Sequence, residues 1–294
     1  MRVVVASGKG GTGKTSVAVS LALAVGDSVR LKFVDADVEA PNAHLLLSPR
    51  ITERAVFEVP VPSIDQKRCN LCGACVRECR YNALVKLPDE VVLFEKLCHS
   101  CGTCEIVCRR HAVGWRMRRI GEVMRGSVDA GWRKIEYFGG RLDVGEPSGV
   151  PLIAELKRRA GEDGDVIIDA PPGTACPVVE AMHGADFALL VTEPTPFGEH
   201  DLKMAADVAR QIGIEAGVVL NRAGLGDDAS TRLLCAKLGL EIMLEIPFER
   251  TAAEAYSRGV PLLRAIDGMA ERFERLWWDV ARRVAKAKSG GSRR

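Results

Sequence analysis

The chain has 294 residues, 47% of them hydrophobic, and a formal net charge of +2. This composition supplies a substantial core, and the length suits one large domain, or a large one carrying a small one. The longest apolar runs are too short to span a bilayer and no signal peptide follows Met1, so we expect a cytoplasmic protein. Its ten cysteines should then be reduced, and should hold metal more readily than they form disulfides.

Short apolar segments, separated by stretches with helical spacing, recur along most of the chain. Continuous apolar strands that alternate with helices indicate an α/β fold, in which a mostly parallel sheet is covered by helices on both faces. The pattern breaks between about Pro60 and Arg119. We therefore predict one domain in two parts, residues 1–60 and 120–294, with a small insert over residues 61–119. The strand-like segments are RVVVAS, LKFVD, VIIDA, FALLVT, GVVLN and IMLEI.

The first apolar segment ends in the glycine-rich stretch SGKGGTGKTS. It fits the pattern G-x-x-x-x-G-K-[ST], which binds nucleotide phosphates where a strand leads into a helix. Lys14 should contact the β- and γ-phosphates of ATP, and the Thr15 hydroxyl should ligate Mg²⁺. The residues predicted to form this phosphate loop are Gly8, Lys9, Gly10, Gly11, Thr12, Gly13, Lys14, Thr15 and Ser16.

Eight of the ten cysteines fall within the predicted insert, where the spacing C-x2-C-x2-C-x3-C occurs twice. Zinc sites usually pair two C-x2-C knuckles, whereas three close thiolates and a more distant fourth suit a four-iron cluster. The doubled spacing therefore predicts two 4Fe–4S clusters rather than zinc. The two runs are Cys69, Cys72, Cys75 and Cys79, then Cys98, Cys101, Cys104 and Cys108.

The predicted insert is also basic, with eleven Lys or Arg against six Asp or Glu between residues 61 and 119. A basic surface of this kind is either a solvated face or a docking surface for an acidic protein partner. No pattern of aromatic residues for base stacking accompanies the charge, so we expect no nucleic-acid partner.

The stretch KGGTGKT resembles the deviant phosphate loops of the MinD/ParA and nitrogenase iron-protein superfamily. In that superfamily the first lysine reaches across a dimer interface to the ATP of the partner. The resemblance implies a catalytic role for Lys9 beside Lys14, and a homodimer, or a heterodimer with a paralogue, formed through ATP. The alternative is that Lys9 is an incidental surface lysine.

Two further stretches resemble the switches of the same superfamily. VDADVEAPN is similar to the first switch, which implies that Asp37 orients or activates the attacking water, while Asp35 could be structural. VIIDAPPG is similar to the second switch, which implies that Asp169 holds the Mg²⁺ shell and that the amide of Gly173 senses the γ-phosphate.

The stretches VVLNRAG and EIPF resemble the end of the superfamily's site that binds the base. The resemblance implies that Asn221 forms a hydrogen bond with adenine and that Pro247 packs nearby. The alternative for Asn221 is a turn residue at the carboxyl end of a strand.

The cysteine segment resembles a two-cluster bacterial-type ferredoxin, which implies a small α+β fold. In that family the fourth cysteine of each run crosses over to the other cluster. The departure from the family is that Arg80 and Arg109 stand where proline usually follows the fourth cysteine. The implied ligand sets are Cys69, Cys72, Cys75 and Cys108 for the first cluster, and Cys98, Cys101, Cys104 and Cys79 for the second.

An ATPase similar to MinD with an inserted ferredoxin admits three functions. The one we favour couples a dimeric ATP switch to electron transfer through the clusters. The alternative is an ATPase for iron–sulfur or metal-centre assembly similar to Mrp, although clusters with four thiolates each are held rather than handed over. A positioning ATPase similar to MinD or ParA is the third, although positioning needs no electron relay.

The last helical pattern, MAERFERLWWDVARRVAKAK, places its apolar residues on one stripe. MinD proteins carry a terminal amphipathic helix that binds membrane, and the alternative is a final helix docked on the domain. We favour the docked helix and expect no membrane contact. The stripe consists of Phe273, Leu276, Trp277, Val280 and Val284.

Overall fold

A nine-stranded sheet forms the centre of the molecule, with the strand order β11-β10-β9-β1-β8-β2-β7-β6-β3. The computed structural model describes residues 1–131 and 133–291. Residues 132 and 292–294, which the predicted division assigns to the second part of the domain, lie outside the described residues. The strands of the sheet are β1 (Arg2–Ala6), β2 (Leu31–Asp35), β3 (Arg50–Ile64), β6 (Val113–Ala130), β7 (Arg133–Leu142), β8 (Asp165–Asp169), β9 (Phe187–Thr192), β10 (Ala216–Ala223) and β11 (Ile242–Pro247).

Seven neighbouring strands, from β11 to β7, are parallel, and β6 then pairs antiparallel with both β7 and β3. All six apolar segments of the sequence form strands of the parallel part. Their side chains are apolar along the whole strand because both faces of a parallel sheet covered by helices are buried. The predicted mostly parallel α/β fold is therefore confirmed.

Helices cover both faces of this sheet. One core contains side chains of α1, α2, α10 and α11, and the other contains side chains of α5, α6, α7 and α8. The helices are α1 (Lys14–Val25), α2 (Ala43–Leu47), α3 (Ala74–Arg77), α4 (Thr103–Ile106), α5 (Val150–Ala160), α6 (Cys176–Met182), α7 (Pro196–Ile212), α8 (Asp228–Leu238), α9 (Arg250–Ser257), α10 (Leu262–Ala265) and α11 (Met269–Gly291).

The C-terminal helix α11 docks on the domain as expected. Its five-residue apolar stripe is buried in the same core as α1, while Trp278 on the opposite face is exposed. Within the described ranges, none of the helices is both long and apolar enough to cross a membrane.

Strands β3 and β6 form a long antiparallel ribbon that carries the cysteine segment at its end. The segment leaves the sheet after Ile64 and returns at Val113, and the amide of Asp65 donates to the carbonyl of Ala112 across its base, at 2.7 Å. Between these points lie α3, α4 and a small hairpin of β4 (Leu84–Lys86) and β5 (Val91–Leu93). The predicted boundaries at residues 61 and 119 fall inside the ribbon, so the division into domains stays a prediction.

Candidate nucleotide and cluster sites

The phosphate loop connects β1 to the N-terminus of α1, and two of its glycines are required by close contacts. A Cβ on Gly8 would lie 2.3 Å from the carbonyl oxygen of Asp201. Gly13 has φ +91°, and a Cβ there would lie 2.2 Å from Nδ2 of Asn221. The loop therefore lies tightly against α7 and β10, with its amides and the helix N-terminus at the carboxyl edge of the sheet, where an anion binds favourably.

One pocket at this edge contains most of the residues that the sequence predicted for the nucleotide. It is lined by residues 9–16 of the loop, by Asp37 after β2, and by Asn221 and Pro247 at the ends of β10 and β11. Exposed aromatic residues of the same rim, Phe248 and Tyr256, offer apolar surface beside Pro247. The pocket therefore combines a loop for phosphates with an apolar end suited to a base.

The Lys14 ammonium donates a hydrogen bond of 2.6 Å to Oδ1 of Asp169, and both side chains are buried. The Thr15 hydroxyl lies 3.4 Å from the same ammonium. Oδ2 of Asp169 is also buried, and it has no hydrogen-bond partner within the part of the chain that the structure describes. Since an unpaired buried carboxylate oxygen is costly, and carboxylates and hydroxyls are ligands that Mg²⁺ prefers, this group fits the predicted magnesium shell.

Gly173 follows Asp169 in the second predicted switch and adopts φ +97°. Its amide donates a 3.0 Å hydrogen bond to the carbonyl of Ser7, at the start of the phosphate loop. The predicted sensor of the γ-phosphate is thus tied to the loop, although its amide is directed at protein rather than at solvent.

Two carboxyl groups of the first predicted switch lie close to Lys14. Burial raises the pKa of Asp37, against the opposing effect of the Lys14 charge. Burial, with the nearby Asp169, raises the pKa of Asp35 to about 8, and the Tyr137 hydroxyl donates to Asp35 at 3.2 Å. Because Asp35 is fully buried at the end of β2, its contacts favour the structural role that the sequence allowed.

Lys9 does not extend freely into solvent in the single chain. Its ammonium donates to Oε1 of Glu193 at 2.8 Å and lies 5.8 Å from the centre of the Phe197 ring. Arg222 pairs with the other oxygen of Glu193 at 2.7 Å and donates to the carbonyl of Gly11 at 3.1 Å. Although burial acts to raise the pKa of Glu193, the two cations outweigh it and lower that pKa.

The Asn221 amide is buried beneath the phosphate loop and uses both of its ends within the chain. Nδ2 donates to the carbonyl of Thr12 at 2.7 Å, and Oδ1 accepts from the amide of Arg222 at 3.0 Å. Asn221 therefore supports the loop in this structure, and its predicted hydrogen bond to adenine stays a prediction.

Sequence reasoning missed Glu193 and Arg222. Glu193 directly follows the buried strand β9, and Arg222 follows Asn221 in β10. Ligand-binding residues occur most often at the carboxyl ends of parallel strands, so the position of Glu193 directly after β9 could have indicated that it belongs to the site.

The cysteine segment consists of two similar halves. Each contains a glycine with positive φ before a short helix, Gly73 before α3 and Gly102 before α4. In each half an amide four residues after the last cysteine donates to its sulfur: Ala83 to Cys79 at 3.4 Å, and Ala112 to Cys108 at 3.3 Å. Such hydrogen bonds stabilise a thiolate and are a common means of tuning cluster ligands.

Four of the predicted ligands line one small pocket. Tyr81 and His99 stack beside it with ring centres 3.7 Å apart, and Leu84, Leu93 and Trp115 supply apolar walls. Burial raises the pKa of the Cys104 thiol to about 11, so a proton is not easily lost there unless a metal takes its place. The four cysteines of this pocket are Cys79, Cys98, Cys101 and Cys104.

The remaining cysteines of the segment are also neighbours. Burial raises the pKa of the Cys75 thiol, and the nearby thiols of Cys69 and Cys108 raise it further. Cys72 lies exposed at the start of the turn into α3. Cys108 thus lies beside the first run, and Cys79 beside the second, as in the crossed pattern of two-cluster ferredoxins.

Within residues 1–131 and 133–291, no three Cys, His, Asp or Glu side chains converge on a point that one metal ion would occupy. A four-iron cluster binds each thiolate at a different iron, so its ligands surround a volume rather than converge on one ion. The chemistry of the donor set, eight thiols without a carboxylate among them, fits such clusters.

The fold and the phosphate loop define an α/β nucleotide-binding protein of the P-loop class. The family model described as "CobQ/CobB/MinD/ParA nucleotide binding domain" matches residues 3–262. The chain belongs to this family of P-loop ATPases.

An uncharacterized protein of Methanocaldococcus jannaschii is 31% identical over 272 residues, covering 91% of this chain and 93% of that protein. An iron–sulfur cluster carrier protein of the same organism is 22% identical over 304 residues, covering 98% of this chain and 86% of the carrier. Among solved structures, septum site-determining protein MinD of Pyrococcus horikoshii, complexed with Mg-ADP, is 19% identical with a TM-score of 0.56. That alignment covers 94% of this chain and 93% of the MinD chain, and it shows a shared fold.

Proposed function

We propose that this protein is an ATP-hydrolysing iron–sulfur protein in which a dimeric nucleotide switch is coupled to electron transfer through two 4Fe–4S clusters. The observation that carries the proposal is the position of the cysteine segment. Its four-thiol pocket lies at the end of a ribbon whose strands belong to the same sheet as the phosphate loop. The cysteine segment, which lies within the predicted insert of residues 61–119, is therefore joined directly to the sheet that carries the phosphate loop.

In the proposed nucleotide site, Lys14 changes partner when ATP and Mg²⁺ bind. Lys14 now pairs with Asp169. With ATP bound, Lys14 would contact the β- and γ-phosphates, and Asp169 would join Thr15 in holding Mg²⁺, which neutralises phosphate charge. Asp37, which is buried at the edge of the pocket, would orient the attacking water.

Residues at the rim of the pocket would complete the site. Asn221 and Pro247 would contact the base, and the amide of Gly173 would move from Ser7 to the γ-phosphate. Lys9 would leave Glu193 to reach the ATP of a second copy, or of a paralogous chain. The ammonium of Lys9 would then exchange the Glu193 carboxylate for the phosphates of the partner's ATP, because a charged group that loses one ionic partner is costly without a second. This exchange supports a dimer that closes only when ATP is present.

In the insert, each set of four thiolates would hold one cluster, and a bound cluster supplies one-electron transfer. Arginines beside the cysteines would favour the reduced state through their charge, and the basic surface would bind an acidic redox protein. Exposed apolar side chains at the same surface support docking: Tyr81 and Ile106 beside the cysteines, and Phe94 and Leu97 beyond the hairpin.

The second candidate is an iron–sulfur or metal-centre assembly ATPase. The similarity to a protein named as an iron–sulfur cluster carrier favours it. A carrier must release its cluster, whereas eight cysteines in two complete sets would retain theirs. The positioning ATPase stays the third candidate, on the likeness of the fold to MinD.

Anaerobic purification tests the proposal. We expect about eight iron and eight acid-labile sulfides per chain, because two complete ligand sets are present. Incubation with a cluster-free acceptor protein, with and without ATP, then separates the two candidates. Retention of iron in the presence of ATP supports electron transfer, and ATP-dependent loss to the acceptor supports assembly. Stoichiometric zinc with no visible charge-transfer absorption would refute both.

A further inference from the structure

The two halves of the cysteine segment are attached differently to the nucleotide-binding domain. The half that contains Cys98 has direct attachments: Lys96 donates to the carbonyl of Gly145 at 3.1 Å, and Ser100 donates to that of Pro60. Cys98 itself packs against the core under the sheet. In the described ranges, no hydrogen bond or ion pair joins residues 67–82 to the domain. Among the described residues, the direct attachments to the domain are therefore made by the half that contains Cys98.

Arg118 of β6 lies at this attachment, between the domain and a predicted cluster ligand. Its guanidinium donates to Glu146 at 2.7 Å, with side chains only 13% and 7% exposed. A second carboxylate, Glu95, lies 4.0 Å from Nε, which is buried and has no hydrogen-bond partner among the described residues. Glu95 precedes Cys98 by three residues, so the Arg118 cation lies next to the stretch that carries this predicted ligand.

Glu146 belongs to the loop of residues 143–149, which starts beside the first predicted switch. Val38, the residue after Asp37, accepts a 2.8 Å hydrogen bond from the amide of Leu142. A Cβ on Gly149, at the other end of the loop, would lie 2.7 Å from Cγ2 of Val38. Both ends of the loop therefore contact one buried residue that adjoins the nucleotide pocket.

We propose that Arg118 is a positioning residue that, through Glu146, couples the nucleotide switch to one cluster only, the cluster held by Cys79, Cys98, Cys101 and Cys104. The inference rests on the proposed function and deepens it. Movement of Val38 on ATP binding displaces the loop, and with it the ion pair beside Cys98. The potential of a cluster depends on nearby charge, so this cluster responds to ATP and the other does not.

A chain of contacts couples two sites only if both sites shift the equilibrium of the same structural element. The test therefore measures whether ATP binding changes the reduction potential of each cluster. The full chain, with both clusters, is titrated potentiometrically and followed by electron paramagnetic resonance, with and without a non-hydrolysable ATP analogue. We expect two reduction steps, of which ATP shifts one. Two matched ligand variants assign each reduction step to a cluster, Cys101→Ser for the cluster beside Cys98 and Cys72→Ser for the other. The step altered by Cys101→Ser should be the step that ATP shifts.

Two variants of the ion pair have opposite effects on the potential and the same effect on coupling. Arg118→Gln leaves two carboxylates beside Cys98, so that step moves to lower potential, with about a tenfold change in its reduced-to-oxidised ratio, or about 59 mV. Glu146→Gln leaves the cation with less compensation, so the step moves to higher potential. In both variants the shift caused by ATP is lost.

The control is Arg119→Gln. Arg119 is adjacent on β6 and pairs with Asp143 of the same loop at 2.9 Å, but this pair is exposed and lies on the other face of the strand. Both steps and the ATP shift should be unchanged. If Arg118→Gln loses its clusters, Glu146→Gln carries the test alone.

Three results overturn the inference: an ATP shift of the step altered by Cys72→Ser, equal shifts of both steps, or a shift that survives in the Glu146 variant. All three leave the proposed function intact. An ATP analogue that binds and moves neither step would instead overturn the proposed coupling, and the inference with it.

Discussion

The nucleotide-binding domain and the cysteine segment are held together by different forces. Around the phosphate loop, the sheet and its helices bury apolar side chains in two cores, and the charged residues of the site are enclosed by them. Between residues 65 and 112 the buried apolar side chains are few, and the helices α3 and α4 contain none. These few are Ala83, Leu84, Val91 and Ala112.

A segment this short, with so little core, cannot compensate the entropy of ordering its chain by hydrophobic burial. Metal binding can supply the difference, because in small metal-dependent domains the free energy of binding the metal contributes to the free energy of folding. The nucleotide-binding domain should therefore fold, with its nucleotide site formed, in the absence of metal. The segment should depend on its clusters.

Removal of the clusters should affect the two regions very differently. Oxidative removal of the clusters should unfold residues 65–112 while the domain keeps its structure and binds ATP. Hydrogen exchange of the cluster-free chain should show the amides of α3, α4 and the small hairpin unprotected, and those of the parallel strands still protected. Protection of the segment without iron would show that apolar packing suffices there.

Asp37→Ala tests the domain alone. Removal of the carboxylate that orients water should slow hydrolysis about 10²–10⁴-fold and leave ATP binding in place. Glu39→Ala, an exposed neighbour outside the nucleotide pocket, serves as the matched control. Steady-state phosphate release and equilibrium binding give the two quantities. Unchanged turnover in the Asp37 variant would remove it from the catalytic role.

Lys14→Ala should abolish useful nucleotide binding. Loss of a charge-assisted contact to phosphate costs about 3 kcal/mol, or about a hundredfold in affinity. Lys203→Ala, on the exposed face of α7, should bind ATP normally. Iron content should be normal in both variants, because the clusters lie outside this site. Loss of iron together with ATP binding would show that the two regions do not fold independently.

The ionisation of Asp35 should have a smaller effect, on how the stability of the nucleotide-binding domain depends on pH. Its pKa in the folded chain is raised to about 8, so its contribution to stability is complete below about pH 4 and is lost as the pH rises through 8. Asp35→Asn stays neutral. The stability of the native chain relative to this variant should therefore fall between pH 5 and 8, in urea denaturation without nucleotide or Mg²⁺.

The matched control for that measurement is Asp163→Asn. Pairing with Lys32 lowers the pKa of Asp163, so its contribution to stability is already complete by pH 5. The difference between the native chain and this variant should not change between pH 5 and 8. A constant difference for the Asp35 variant as well would show that Asp35 ionises normally.

The sequence predicted the parallel strands and the phosphate loop well, because burial on both faces leaves continuous apolar runs and the loop geometry demands glycines. It did not predict the ribbon of β3 and β6. Its strands carry charged residues and two prolines, Pro60 and Pro62, on an edge position, and such strands lack a continuous apolar run.

Contacts between distant parts of the chain were the other gap in prediction. Nothing in the spacing of the sequence links Lys9 to Glu193, or Arg118 to Glu146, since each pair is brought together by strand order. The Asn221 side chain was placed correctly at the carboxyl edge of the sheet. Its contact with Thr12 depends on how closely the loop approaches β10, which only the folded chain reveals.

The coupling of the nucleotide switch to the clusters can be measured as the affinity for ATP of reduced and of oxidised protein. If ATP alters a cluster potential, reduction must alter ATP affinity by the same free energy. We predict affinities that differ about fivefold or more between dithionite-reduced and oxidised protein. Lys9→Ala should lose this difference while keeping both clusters, because closure of the dimer would be lost. Equal affinities in the two redox states of the native protein would contradict the coupling of the nucleotide switch to electron transfer.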